Sequence, residues 1–345
     1  MKDTLIAIDL AKTIFQVCVM NKNHEILLNK KLRRNKLLTF LSQQPPSMVV
    51  MEACYSSNPW GRAIHHLGHE VKLIPPYQVK PFVVGNKNDT NDAVAIAEAA
   101  RRPKARFVPV KTLEQQDIQS LHRVRERCQR DRVAILNQLR GLLSEYGVVI
   151  PKTKAVLAKS IPMILEDKSH QLTTVSRSIV RRLFEQWRAL DEDIAQLEKE
   201  LAHLCKQHQF YDLLISIPGV GPLGCALILA SVNDPGQFNN SRQFAAWLGL
   251  TPKQHASGDK SRMLGISKRG NASLRKTLIH GARTVLNWCD KKDDTLSLWL
   301  QRLKERVPAC KLIVALANKL ARIIWAVLFK QQSYDARLAA GCVVR

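Results

Sequence analysis

The sequence predicts an α/β domain built on a mixed sheet, then a long helical arm, then a mainly α C-terminal domain. Three observations predict this order. Short apolar, β-rich runs crowd the first 105 residues and alternate with helical stretches. Between 112 and 208 apolar residues recur at alternating steps of three and four. Beyond 209 the apolar stretches have helical length, broken by one basic, glycine-punctuated insert. The boundaries expected from these changes are 1–110, 111–208 and 209–345.

In the first domain, 4–8, 15–20 and the weaker 25–31 read as strands, with a turn at Asn21-Lys-Asn-His24. A polar helix over 35–41 stops before Pro45-Pro46. A fully apolar strand follows at 47–51, then a helix at 59–67 closed by Gly68 and a strand at 71–74 stopped by Pro75-Pro76. Residues 90–101 are alanine-rich and helical.

In the arm the apolar seam runs through Leu121, Val124, Cys128, Ile135, Leu139, Leu142 and Tyr146. It resumes through Leu172, Val175, Ile179, Leu183, Trp187, Leu190, Ile194, Leu197, Leu201 and Leu204. Pro151 and Pro162 interrupt the connection. An antiparallel helical pair, a coiled-coil arm joining two protomers and two helices of a globular bundle all share this pattern. The last domain carries Ile217-Pro-Gly-Val-Gly-Pro222 between two apolar runs, the glycine pattern of a helix-hairpin-helix element. There Gly219 and Gly221 would let backbone N–H groups approach a phosphate without reading a base, or would simply allow a tight turn. The insert over 251–271 reads as a loop, and helices are expected at 274–288 and 312–329.

Charge names the class of partner. The 345 residues hold 53 Lys+Arg against 29 Asp+Glu, a net charge of +24, while 46% hydrophobic content excludes wholesale disorder. Such an excess favours a nucleic acid. Residues 1–105, 106–210 and 211–345 carry +7, +5 and +12, so the densest phosphate contacts are expected in the last third. Eight cysteines without a C-x-x-C pair argue against a disulfide framework and a cysteine-rich zinc site. No uninterrupted apolar run approaches the ~18 residues of a membrane span, and the expected setting is soluble and cytoplasmic, with no membrane partner.

Four acids stand out. Asp9 and Glu52 each end an apolar strand, where nothing calls for a capping acid, while Asp89 and Asp92 share one face at the start of a helix. Together they make a hard-oxygen donor set suited to two Mg²⁺ ions and phosphodiester chemistry; taken alone, Asp89 and Asp92 read rather as capping acids, and Asp9 and Glu52 shift the balance. In the insert, Ser257 lies between Ala256 and Gly258, close to Lys253, Lys260, Arg262, Lys268 and Arg269, with Arg275 beyond. An open backbone and positive charge suit a serine that attacks phosphate. Residue types alone do not select Ser257 over Ser261, Ser267 or Ser273, and His255 reads as a solvated loop histidine.

Several ordered motifs resemble one family: Ile8-Asp9-Leu-Ala-Lys12, Met51-Glu52-Ala-Cys54, Lys87-Asn-Asp89-Thr-Asn-Asp92-Ala93 and Ile217-Pro-Gly-Val-Gly221. Gly249-Leu-Thr-Pro252, Ala256-Ser257-Gly258, Ile266-Ser-Lys-Arg-Gly270 and Val314-Ala-Leu-Ala-Asn-Lys-Leu-Ala-Arg322 extend the likeness over nearly the whole chain. The chain resembles the DEDD-type insertion-sequence transposases, kin of the Piv DNA invertases. That resemblance implies an N-terminal RuvC-like (RNase H) domain with Asp9, Glu52, Asp89 and Asp92 as ligands of Mg²⁺, two ions, with Mn²⁺ as an alternative. It implies a helical transposase domain whose nucleophile is Ser257 and whose product is a 5′-phosphoserine. It also implies donor and target DNA, a structured noncoding guide RNA, and a homo-oligomer, dimer or tetramer, in which the metal site of one protomer meets the serine of another. Ala256 stands where many relatives carry a serine, and Tyr55-Ser-Ser-Asn-Pro59 replaces a glycine-containing segment. Two other functions share parts of this pattern: a metal-dependent DNA junction nuclease without a covalent step, and an inactive nucleic-acid-binding protein.

Overall fold

The structure, a computed structural model, describes residues 4–85, 88–150, 153–257 and 260–337. Lys87, Pro151, Gly258 and Cys342 lie outside the described residues, and of Lys260 only the backbone is described. The chain divides into two compact units, Met1–Leu113 and Glu114–Arg345.

The first unit is a five-stranded sheet with helices on both faces. Its strands are β1 (Leu5–Asp9), β2 (Ile14–Met20), β3 (Ile26–Arg33), β4 (Met48–Glu52) and β5 (Glu70–Ile74). The order across the sheet is β3-β2-β1-β4-β5. The first three strands form an antiparallel meander, whereas β4 joins β1, and β5 joins β4, in parallel. The expected mixed sheet with helices on its faces is therefore present. Its helices are α1 (Leu37–Ser42), α2 (Ser57–His66), α3 (Pro76–Val79) and α4 (Asp89–Arg101).

Strand alternation divides the core. Leu5, Ala7, Cys18, Met20 and Val50 pack with Ala93, Ile96 and Ala97 of α4 on one face. Ile6, Ile8, Phe15, Val17, Val49 and Met51 pack with Leu37, Leu41 and Ile64 of α1 and α2 on the other. The buried alanines of α4 let that helix lie close to the sheet.

The second unit is helical apart from one hairpin. It holds α5 (Leu113–Glu145, whose first residue falls in the first unit), α6 (Lys154–Glu166) and α7 (Thr174–Lys206). Then come α8 (Tyr211–Ile215), α9 (Pro222–Ser231) and α10 (Ser241–Trp247). The hairpin β6 (Pro252–Ser257) and β7 (Lys260–Ile266) precedes α11 (Ala272–Trp288), α12 (Thr295–Lys304) and α13 (Ala309–Lys330).

The two long helices of the arm pair with each other within the chain. Arg125 reaches Glu198 through Nε at 2.7 Å, and Arg132 reaches Asp191 at 2.7 Å. Partner numbers fall on α7 as they rise on α5, so the two 33-residue helices run antiparallel. Leu139, fully buried, joins Leu157, Ile161, Phe184 and Trp187 in a core of α5, α6 and α7. Other seam positions, Val124, Val175 and Ile179, are exposed.

Among the described residues one helix, α13, is long and apolar enough to cross a membrane, although the sequence holds no uninterrupted apolar run of that length. Lys319 and Arg322 interrupt it, and over half of its apolar window is buried in the helical core. Lys319 itself is buried with its ammonium 4.7 Å from the Trp299 ring centroid.

Candidate active site and nucleic-acid interface

The parallel pairing of β1 and β4 puts Ile8 opposite Met51, so Asp9 and Glu52 follow as neighbours at the carboxyl ends of adjacent strands. Alternation then decides their face. Asp9 continues the row of Leu5 and Ala7, and Glu52 that of Met48 and Val50, the face covered by α4. The helix runs against β1: Arg101 in its last turn donates to the carbonyl of Met20, which pairs with Leu5 at the far end of β1. Asp89 and Asp92, in its first turn, therefore lie at the same end of the sheet as Asp9 and Glu52.

The capping role that Asp89 and Asp92 could have filled belongs to Asn88, whose Oδ1 accepts from the Asn91 N–H at 2.8 Å. Topology thus brings the four acids to one edge. It does not close them into a cage: among the described residues, no three His, Cys, Asp or Glu side chains stand together as a metal-holding group. Mutual repulsion of like charges opposes such closure. The chemistry of the donor set, all carboxylate oxygen, still fits hard divalent cations.

One polar residue at this edge escaped the sequence reading. Gln16 pairs with Asp9 across β1 and β2 and is buried on the α4 face. Its Nε2 donates to Asn29 Oδ1 at 2.6 Å, and Asn29 Nδ2 donates to the Thr90 carbonyl at 3.4 Å. The signal was a lone glutamine inside the apolar run Ile14-Phe-Gln-Val-Cys-Val-Met20.

In the second unit, the insert expected as a loop is an antiparallel hairpin, with Ser257 opposite Lys260 at its tip. Every residue of β6 is exposed, which is why no apolar alternation announced the strand. The register pairs His255 with Arg262 and Ala256 with Ser261, so His255, Ser257 and Arg262 occupy one face. Ser261 occupies the other and accepts a hydrogen bond from Gln254 Nε2 at 3.0 Å. Ser273 donates to both carboxylate oxygens of Glu126 on α5, at 3.0 and 3.1 Å.

The base of the hairpin is a clasp. The N–H of Ser267 donates to the Thr251 carbonyl at 2.8 Å, and that of Lys268 to the Gly249 carbonyl at 3.1 Å. Gly249 (φ +71°) and Gly270 (φ +77°) leave no room for a Cβ, which would run into the backbone of Arg269 and of Trp247 respectively. Lys253, Arg262, Lys268 and Arg269 are exposed around the clasp.

Arg275 Nη1 donates to the carbonyls of Leu248 (3.0 Å) and Arg269 (2.8 Å), which ties it to the clasp. Gly219, at φ +81°, lies against Gly281 of α11, whose carbonyl oxygen would be 2.8 Å from a Cβ, so a side chain there would collide with α11. Gly221, just before α9, has open space around it.

Residues 211–296 match the family model described as "Transposase IS116/IS110/IS902 family", and residues 6–148 match a DEDD transposase model of the IS110 type. The chain is 42% identical over 330 residues to the "Probable family 20 transposase" of Pseudomonas aeruginosa, covering 95% of this chain and 98% of that one. It is also 42% identical over 335 residues to the "Transposase for insertion sequence element IS1111A" of Coxiella burnetii, covering 97% and 92%. The chain belongs to the IS116/IS110/IS902 transposase family. A lower likeness, 27% over 155 residues, links 43% of this transposase to 47% of the "Pilin gene-inverting protein" of Moraxella lacunata. The transposase is thus a DNA-cleaving and rejoining enzyme with a DEDD-type N-terminal domain. The match over 6–148 holds the acid edge, and the match over 211–296 holds the serine hairpin.

The clasp makes a stability prediction for this transposase. Gly270→Ala should destabilise the second unit by at least about 3 kcal/mol, because a left-handed φ and a backbone collision act together. Gly265→Ala, with open space around it, should change the denaturation midpoint little.

Proposed function

We propose that this transposase cuts and exchanges DNA strands under the guidance of a noncoding RNA, through a covalent serine–DNA intermediate. What supports the acid half most is the adjacency of Asp9 and Glu52 at the carboxyl ends of β1 and β4 on the face of α4. Asp9, Glu52, Asp89 and Asp92 would hold Mg²⁺, two ions, or Mn²⁺. Divalent metal bound there supplies Lewis acidity to the scissile phosphate and lowers the pKa of the attacking hydroxyl.

Ser257 Oγ loses its proton and attacks phosphorus. The bond from phosphorus to the 3′ oxygen breaks, the 3′ oxygen takes up a proton, and the 5′ phosphate remains on the serine. Attack by the 3′ hydroxyl of another strand reverses these steps and frees Ser257. Arg262, on the same hairpin face, and Lys260, opposite Ser257 in register, would offset charge on the phosphorane. The acids of one protomer and the hairpin of another complete the site in a dimer or tetramer, and 111–208 acts as its helical arm.

The test incubates the protein, its flanking noncoding RNA and cognate DNA with Mg²⁺, then separates protein–DNA adducts under denaturing conditions. An adduct with strand exchange supports the proposal. Cleavage without an adduct indicates a junction nuclease, and binding without cleavage indicates an inactive nucleic-acid binder.

Backbone binding is tested separately. Replacing Arg262, Lys268 and Arg269 with Gln should flatten the log–log salt dependence of DNA affinity by roughly 0.7 to 0.9 per true phosphate contact. An unchanged slope would mark this face as merely solvated.

A further inference from the structure

We infer that Gln16 is a positioning residue of the acid edge: it ties the first turn of α4 to β1 and turns an amide oxygen toward the cation site. The inference rests on the metal-binding reading above. Three observations carry it. Gln16 is the cross-strand partner of Asp9 and is only 3% exposed. Its amide nitrogen, through Asn29, reaches the carbonyl of Thr90, the residue after Asp89 and two before Asp92. Its Oε1 is buried and has no hydrogen-bond partner.

A leucine or methionine at this place would extend the apolar row of Cys18 and Met20 without an unsatisfied acceptor. A glutamine is useful there if its two ends have separate work. The nitrogen end sets where Asp89 and Asp92 sit relative to Asp9. The oxygen end offers an acceptor, and Mg²⁺ keeps several of its waters, which are strong donors. Outer-sphere partners of this kind orient the direct ligands and tune the affinity of the site.

The test uses the full-length chain without nucleic acid and titrates Mn²⁺, reading free ion by electron paramagnetic resonance. Gln16→Leu should weaken Mn²⁺ binding by about 10- to 100-fold. Its metal-free melting temperature should hold or rise, because an unsatisfied buried acceptor is removed. Asn29→Ala, on a half-buried position of β3, should also weaken binding while leaving Gln16 in place. Asp9→Asn serves as reference. If Asp9→Asn loses Mn²⁺ while Gln16→Leu and Asn29→Ala bind it as wild type does, Gln16 is only packing and the inference is overturned. If Asp9→Asn also binds normally, the acid-site reading itself fails and takes the inference with it.

Discussion

Asp9→Asn should lower strand cleavage by about a thousandfold or more while leaving nucleic-acid binding nearly intact. The reason lies in what this carboxylate does and does not touch. Asp9 closes β1 beside Glu52, on the α4 face, whereas the exposed basic residues of the clasp lie in the other unit. On the proposed metal-site reading, loss of one negative ligand would remove charge stabilisation at the scissile phosphate. It would leave untouched the Lys and Arg contacts expected to dominate affinity. Glu52→Gln should behave in the same way. Cleavage assays under single-turnover conditions with Mg²⁺, paired with binding measurements in Ca²⁺, separate the two effects. Wild-type recombination by either variant would exclude the four acids as the metal site.

Ser257→Ala should eliminate both adduct and exchange while leaving assembly on nucleic acid unchanged. Four serines crowd this stretch, and the hairpin distinguishes them. Ser257 stands at the tip, exposed, on the face shared with His255 and Arg262. Ser261 lies on the opposite face and receives Gln254, Ser267 closes the clasp through its backbone, and Ser273 is tied to Glu126. Ser261→Ala and Ser267→Ala should therefore keep most exchange activity. Denaturing electrophoresis of end-labelled DNA reads the adduct directly. An adduct formed by Ser257→Ala would transfer the nucleophile to another residue.

Much of this protein was legible in its sequence, because strong local signals coincide with real elements. The strand runs of the first domain, the alanine-rich helix of α4 and the apolar helices α11 and α13 follow from period and punctuation. The hairpin of β6 and β7 was not legible: exposed on β6 throughout, it carries no apolar alternation, and only backbone pairing and the clasp at Gly249 and Gly270 define it. Short α10 and α12 were missed for want of length.

The sequence by itself determined which acids end strands, that a basic excess seeks phosphate, and that the ordered motifs are those of a transposase. Tertiary structure alone decided which of these residues share a face. Parallel pairing with β4 puts Glu52 beside Asp9, and the antiparallel run of α4 brings Asp89 and Asp92 to the same end. Approach of α11 leaves no room for a side chain at Gly219, and Arg275 donates to the backbone of the clasp. Gln16 shows why the division falls there. A chain lists its side chains in one dimension, but a partnerless amide oxygen beside Asp9 exists only once two strands pair in register and a helix closes over them.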